Sequence, residues 1–380
     1  MTASAAHSTH ITGLFPELFG VGGVQEAGRL ASLALHQIAR RRGWSVSFAS
    51  LNDPSGPQEC SIDGNAIPVQ GFARAKIKFI RAAIRSARAA HGARHIILAG
   101  HPNLAPIAVW LQKMSPRARA IVMAHGVEVW QPLPLVRRAA IRAARLVTGP
   151  SSHTIRKLLD AQRVASSRTR LLPWPLNPEF LRLTPRTDLP LPTHFPQGKI
   201  ILTIGRAAAS EQYKGTDDLI RAVAQLQFEM PDLHLVSVGA GDDLVRLQKV
   251  ASESGASSRV HFLQRLSRED LAACYARADV FAMPSAGEGF GIVFLEAMAF
   301  AKPVIAAGCG GALDLVQDGV NGLLVPPRDP AALTITLRAL LQDEPLRSTL
   351  GANGASMVRE KYRFDAFEAT LERLLEECVE

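Results

Sequence analysis

VFAMPSAGEGFGIVFLEAMA, residues 280–299, packs three kinds of local structure into twenty positions. Val280–Pro284 is a short apolar run of the β type. The glycines at 287, 289 and 291 then make a turn, and an apolar, helix-forming segment follows. A run that is apolar throughout, rather than alternating, belongs to a strand covered on both faces. That is the condition of a parallel sheet sandwiched between helices. The same strand–turn–helix unit recurs in both directions. Downstream lie Pro303–Ala307 and Gly322–Val325; upstream lie Val260–Leu263, Leu233–Gly239 and Lys199–Gly205. Further upstream, Ile11–Phe15, Trp44–Leu51, His95–Gly100, Arg119–His125, Leu146–Pro150 and Arg170–Trp174 read as strands. Val24–Arg41, Arg74–Ala90 and Leu135–Arg145 are helical stretches among them. Between the two series, Pro173, Pro175, Pro178, Pro185, Pro190, Pro192 and Pro196 suit a linker over residues 176–198 and argue against a regular element there. The chain therefore reads as α/β, with two Rossmann-like parallel-sheet domains facing across a cleft. The expected domains are residues 1–180 and 181–362, with a C-terminal helix over 363–380 packing back on the first.

Composition narrows the class of function. With 47% hydrophobic and 20% charged residues over 380 positions, the chain has enough apolar material for two buried cores. The longest apolar stretch, Ile292 to Gly308, is broken by Glu296, Lys302 and Pro303, short of a membrane span. The N-terminal MTASAAHSTH lacks the basic and apolar segments of a secretory signal, so the expected compartment is the cytoplasm. Cys60, Cys274, Cys309 and Cys378 are scattered without ligand or disulfide spacing and read as incidental thiols. The net charge of +9 is unevenly distributed. Residues 1–180 hold 23 Lys and Arg against 8 Asp and Glu, and residues 181–380 hold 20 against 26. A basic half beside an acidic half implies that the first meets something anionic.

Three motifs carry chemistry. The loop from Phe15 to Gly23 contains Gly20, Gly22 and Gly23 and opens into a helix, which lets backbone amides approach an anion. Gly205-Arg206 at a strand end is followed by Lys214-Gly215 at a helix start. A forked guanidinium and a point charge there would clamp a diphosphate. In the opening stretch, Glu288 and Glu296 stand eight residues apart. The helix is expected to begin near Gly289 to Gly291, and eight residues are close to two turns, so both carboxylates can face one cleft. Carboxylates accept from hydroxyls and helix-start amides hold phosphate, which together suit a phosphorylated polyhydroxyl ligand. Glu296 lies in an otherwise apolar helix, so its charge needs a partner.

Residues Glu288 to Glu296 resemble the E-x7-E motif of retaining glycosyltransferases of the GT-B fold, glycosyltransferase family 4. The following stretch from Lys302 to Pro326 is similar to that family almost position by position. Arg206 with Lys214, Gly22 with Gly23, and His125 at a strand end match further family positions. The resemblance implies that Arg206 and Lys214 neutralise the diphosphate of a nucleotide-sugar donor. It gives Glu288 the hydroxyls of the transferred sugar, and Glu296 the ribose. The amides around Gly289, Phe290, Gly291 and Ile292 would hold sugar and phosphate, and Val293, with Leu266 at the end of its strand, would line the nucleoside pocket. Gly22 and Gly23 would close over the phosphates, and His125 would face the sugar. It further implies front-face retaining transfer of a hexosyl group from a UDP- or GDP-sugar, with no metal cofactor. Asp217-Asp218 and Asp242-Asp243 read as helix-start residues rather than ligands.

The acceptor side is less explicit. Arg74, Lys78, Arg81, Arg85 and Arg88 form a basic stripe at helical spacing, with Ile77, Ile80 and Ile84 on another face, as in helices that lie on anionic lipid. The expected acceptor is a lipid-linked sugar or glycolipid, and the expected place is the inner face of the cell membrane, bound peripherally. Trp130 and Glu128 are expected on the acceptor wall. A soluble small-molecule acceptor and a sugar-nucleotide epimerase of the same shape are alternatives; E-x7-E argues against the epimerase. No nucleic-acid module or stacking platform is present.

Overall fold

The computed structural model describes residues 9–90, 92–184 and 189–379. The opening residues 1–8 and Pro185, both read above, lie outside them. The chain divides into two compact units, Met1–Pro175 with Phe364–Glu380, and Leu176–Arg363.

The first unit carries strands β1 (Thr9–Phe15), β2 (Ser45–Ser50), β3 (Gly56–Ile62), β4 (Asn65–Gly71), β5 (Arg94–Ala99), β6 (Ala118–Met123), β7 (Leu146–Gly149) and β8 (Thr169–Leu171). Its helices are α1 (Gly23–Arg42), α2 (Lys76–Ala89), α3 (Ala105–Met114), α4 (Leu135–Ala143) and α5 (Ser152–Asp160). The strands form one sheet in the order β3-β4-β2-β1-β5-β6-β7-β8, parallel except where β3 meets β4. That hairpin is absent from the strands expected above. Its turn is Asp63-Gly64, both at positive φ (52° and 71°), the backbone a two-residue hairpin requires. The chain leaves β1 toward β2 on one side and returns through β5 on the other. The crevice outside these carboxyl ends is where a doubly wound sheet binds ligands.

The second unit begins with α6 (Pro178–Leu181), a single turn capped by Asn177 inside the proline-rich passage. Proline at the first helical position loses no hydrogen bond, so the passage holds this short regular element after all. Strands β9 (Lys199–Ile204), β10 (Leu233–Val238), β11 (Val260–Leu263), β12 (Val280–Met283), β13 (Val304–Ala307) and β14 (Gly322–Val325) follow. Between and after them come α7 (Thr216–Leu226), α8 (Leu244–Glu253), α9 (Arg268–Arg277), α10 (Ile292–Ala299), α11 (Pro330–Gln342) and α12 (Glu344–Lys361). All neighbours are parallel, in the order β11-β10-β9-β12-β13-β14. This is the 3-2-1-4-5-6 order of a Rossmann sheet, and it puts the switch point between β9 and β12.

The last helix, α13 (Phe364–Val379), belongs to the first unit. Phe367, Leu371 and Leu375 are buried along it, and Arg41 at the end of α1 pairs with Glu368 (2.7 Å) and Glu372 (2.6 Å). All four cysteines are free thiols. No described helix is long and apolar enough to cross a membrane.

Candidate active site

The loops after β9 and β12 meet at the switch point of the second sheet. Gly205 follows β9, and a Cβ on it would come within 3.1 Å of Lys214 Cδ and Nζ, so the missing side chain gives the lysine its seat. Arg206 follows. The chain then runs through a tight helical turn, Ala209–Lys214, and Gly215 at φ 77° starts α7. Arg206 and Lys214 do converge, and they converge on a residue absent from the expected set. Glu211 pairs with the Arg206 guanidinium through one carboxylate oxygen and with Lys214 Nζ through the other at 2.7 Å. The carboxylate is 9% exposed and the Arg206 side chain 65%.

The second loop is tied to the first. Ala286 N–H donates to Tyr213 O (2.8 Å), and Gly287 lies flat against the Tyr213 ring, where a Cβ would stand 2.9 Å from it. Burial, with Glu211 and Glu288 nearby, pushes the Tyr213 phenol up to about 12, so it stays a hydroxyl. Glu288 turns its Oε1 back onto the amides of Gly289 (3.1 Å) and Phe290 (3.5 Å). A third segment, Cys309–Asp314, supports it: Gly311 N–H donates to Glu288 O at 2.7 Å. A Cβ on Gly311 would lie 2.1 Å from Gly289 O, and one on Gly310 2.6 Å from Glu288 O. Burial raises the Glu288 carboxyl above its ordinary range, against the opposing pull of Lys214 and the two amides.

Two details differ from the expectation. The helix starts at Ile292 with Gly291 as its cap (φ 96°), so Glu288 stands in the turn before it and not on the face that carries Glu296. Glu288 and Glu296 therefore do not share a helical face as expected from their spacing: the glycine turn, not helical phase, places Glu288. The amides of Gly289 and Phe290 serve Glu288 itself, which leaves Gly291 and Ile292 at the open helix start. Glu296 has its partner, the Tyr275 hydroxyl donating at 2.7 Å. Tyr275 is fully buried against Phe281 and Phe300, and burial raises its phenol well above the usual value. Val293 lies in the first turn of α10, and its carbonyl also accepts from Tyr275 (3.3 Å). Leu266 is half-buried in the loop between β11 and α9, three residues beyond the strand end where it was expected. Asp217 and Asp218 stand in the first turn of α7, and Asp243 directly precedes α8 without a capping hydrogen bond. Arg246 bridges Asp217 (2.5 Å) and Asp243 (2.6 Å).

In the first unit, Gly22 (φ 147°) and Gly23 open α1. The loop before them is held by residues the sequence reading passed over. Buried Asp53 accepts from Leu18 N (2.7 Å), Phe19 N (3.3 Å) and Ser50 Oγ, and Arg29 donates to Leu18 O (2.7 Å) and Gly20 O (3.0 Å). His125 follows β6. Its Nε2 donates to Gly100 O (2.7 Å), and its buried Nδ1 has no hydrogen-bond partner among the described residues. Its ring stacks between His101 (5.6 Å) and Trp174 (5.2 Å). Burial lowers His101 to about 4, with His125 adding to the shift, so His101 is neutral at physiological pH. Glu128 Oε1 accepts from His125 N (2.6 Å), so it supports the His125 loop. Trp130 sits edge-on to His153 at 4.7 Å, and buried Gln162 donates to Val129 O and Gln131 O on either side of it.

The basic helix is displaced from its expected bounds. Arg74 precedes α2 at φ 67°, and the helix starts at Lys76. Phe79 and Ala83 form its buried side, whereas Ile77 and Ile80 are 68% and 40% exposed between the cations; of the three isoleucines only Ile84 packs on the core. Among the described residues, Arg74, Lys78, Arg81, Arg85 and Arg88 make no ion pair.

Comparison with known proteins gives the family and the fold. A family model described as glycosyl transferases group 1 matches residues 192–357. The GDP-mannose-dependent alpha-(1-6)-phosphatidylinositol monomannoside mannosyltransferase of Mycolicibacterium smegmatis is 33% identical over 288 residues, 71% of this chain and 74% of the relative. The D-inositol 3-phosphate glycosyltransferase of Salinispora arenicola is 40% identical over 168 residues, covering 42% of this chain and 37% of its own. Among solved structures, sucrose-phosphate synthase from Thermosynechococcus elongatus superposes with a TM-score of 0.74 at 24% identity, covering 97% of this chain and 98% of that one. Anabaena HepE in complex with UDP and glucose superposes with a TM-score of 0.73 at 20% identity, covering 97% and 99%. Both share the two-domain GT-B fold.

Proposed function

The chain belongs to the family of group 1 glycosyl transferases, and within it we propose a retaining hexosyltransferase of the family 4, E-x7-E type. It moves the sugar of a UDP- or GDP-sugar to a hydroxyl of a lipid-linked sugar or glycolipid. The observation that carries this reading is the convergence of Arg206 and Lys214 on one buried carboxylate at the β9–β12 switch point. Two cations held at that place fit the leaving diphosphate, where negative charge grows as the glycosidic bond breaks. The bond from the anomeric carbon to the phosphate oxygen breaks, the bond to the acceptor oxygen forms on the same face, and the acceptor proton passes to the leaving phosphate. Glu288, Gly291 and Ile292 would grip the transferred sugar and phosphate, Glu296 the ribose, and Val293 and Leu266 the base. Gly22 and Gly23 would cover the phosphates, His125 would face the sugar, and Trp130 would line the acceptor side. Because Arg206 and Lys214 supply the neutralising charge, no metal is required, and EDTA should leave turnover unchanged. The relative of 33% identity is named for GDP-mannose and a phosphatidylinositol mannoside, which puts a GDP-sugar and a lipid acceptor first in the panel.

The exposed Ile77 and Ile80 among the cations of α2 support peripheral attachment to an anionic membrane, at its cytoplasmic face. The test is release of nucleoside diphosphate across a panel of UDP- and GDP-sugars, with NMR of the product anomer. Release from one donor with retention supports the reading. An inverted product, or release from none, contradicts it.

A further inference from the structure

Glu211 has no role in the reading above, yet it occupies the position that matters most there. Its two carboxylate oxygens are divided between the two cations assigned to the donor diphosphate, Arg206 on one side and Lys214 at 2.7 Å on the other. Glu288 also acts on Lys214, so carboxylates offset the two cations while the seat is empty. A diphosphate brings at least two negative charges to that seat. The carboxylate competes with it for both cations, so the diphosphate gains their full charge and best-aligned donors only as the carboxylate gives way.

We propose that Glu211 is a resident counter-anion of the donor clamp: it holds Arg206 and Lys214 in register while the site is empty and is displaced when a nucleoside diphosphate binds. The inference rests on the donor reading above. Its local structure suits displacement. Glu211 sits in the six-residue turn Ala209–Lys214, not in a long helix, and its own backbone (φ −118°, ψ 23°) departs from helical values. Its backbone is anchored separately, through Glu211 N–H to Ala208 O at 2.8 Å, so the side chain can move without unravelling the turn. The Arg206 side chain, 65% exposed, is free to follow the phosphate outward, while Lys214 stays seated on Gly205. The carboxylate preorganises the cations and competes with the product for them. An enzyme that must release a diphosphate after every turnover gains from such a competitor.

The experiment compares wild type, Glu211→Gln and Glu211→Asp by calorimetric titration with UDP and GDP, and with uridine and guanosine. The full chain is used, and turnover is measured alongside. The expected result is that Glu211→Gln binds the preferred diphosphate about tenfold more tightly while the nucleoside affinity is unchanged, and that turnover falls because product leaves slowly. Glu211→Asp, which keeps the charge, should stay within about twofold of wild type for the diphosphate. A purely structural carboxylate would weaken diphosphate and nucleoside together or leave both untouched, and either result overturns the proposal. Diphosphate binding in neither wild type nor variants would remove the donor reading itself, an outcome distinct from wild-type binding that Glu211→Gln fails to tighten.

Discussion

At the scale of single residues, the site depends on side chains kept away from their preferred solvent. Glu288 is the clearest case, because burial raises its carboxyl while Lys214 and two amides offset part of the cost. Between the ordinary carboxyl value and the raised one, the folded state holds a proton that the unfolded state has released. Stability therefore falls as pH rises through that window, and the full cost of the ionised form is present above it. Glu288→Gln should abolish transfer, by at least a hundredfold in kcat/KM, and leave the thermal midpoint at pH 7.5 unchanged or raised. A lower midpoint in calorimetry would contradict this account. The candidate residues Arg206, Lys214, Glu288 and Glu296 were legible from resemblance, because they stand in or beside the loops and helix starts that follow strands readable locally. Glu211 was not: its meeting with both cations depends on an off-helical turn that no periodicity encodes. Asp53 was hidden for another reason, since it braces amides 34 and 35 positions earlier in the chain.

At the scale of elements, α2 rests on a polar layer. His10, Thr12, Ser47 and His95 from the sheet meet around Ser86 of the helix, with Thr12 Oγ1 2.7 Å from Ser86 Oγ and 2.8 Å from His95 Nε2. Burial lowers His95 to about 4. The folded state thus binds fewer protons than the unfolded one between about pH 4 and 6.5, and the stability is fully present above that window and lost on acidification. At about 1.4 kcal/mol per pH unit, His95 alone costs about 2 kcal/mol by pH 5. Calorimetry should show a lower transition at pH 5 than at pH 7, and His95→Gln should flatten part of the difference; an unchanged slope in the variant would exclude this role. On the outer side of α2, Ile77→Ser with Ile80→Ser should reduce sedimentation with vesicles of phosphatidylcholine and phosphatidylglycerol several-fold while leaving nucleotide affinity intact. Equal sedimentation would argue against apolar insertion. Most strands were readable as continuous apolar runs, to within a residue or two at their ends. The β3–β4 hairpin was missed because its residues alternate in burial and include Pro57 and Pro68, although Asp63-Gly64 marked the turn.

At the scale of the whole molecule, the chain pairs a basic N-terminal half with an acidic remainder, and its last helix returns to the first unit. The ion pairs between α1 and α13 are largely exposed on the arginine side and contribute little each. The attachment comes from Phe367, Leu371 and Leu375, whose burial stabilises by about 1.5–3 kcal/mol per side chain. Truncation after Arg363 should therefore lower the midpoint of the first unit by more than 10 °C, or leave it insoluble, while residues 176–363 keep their own transition. Retention of both transitions at wild-type temperatures would show that α13 is dispensable. The proposed transfer depends on two side chains forming a seat for the diphosphate of an activated sugar. The direct measurement is titration of UDP and GDP into wild type, Arg206→Ala and Lys214→Ala, with uridine and guanosine as controls. The prediction is a loss of at least thirtyfold in diphosphate affinity for each variant, with nucleoside affinity preserved. Diphosphate binding that survives both substitutions at wild-type strength would contradict it.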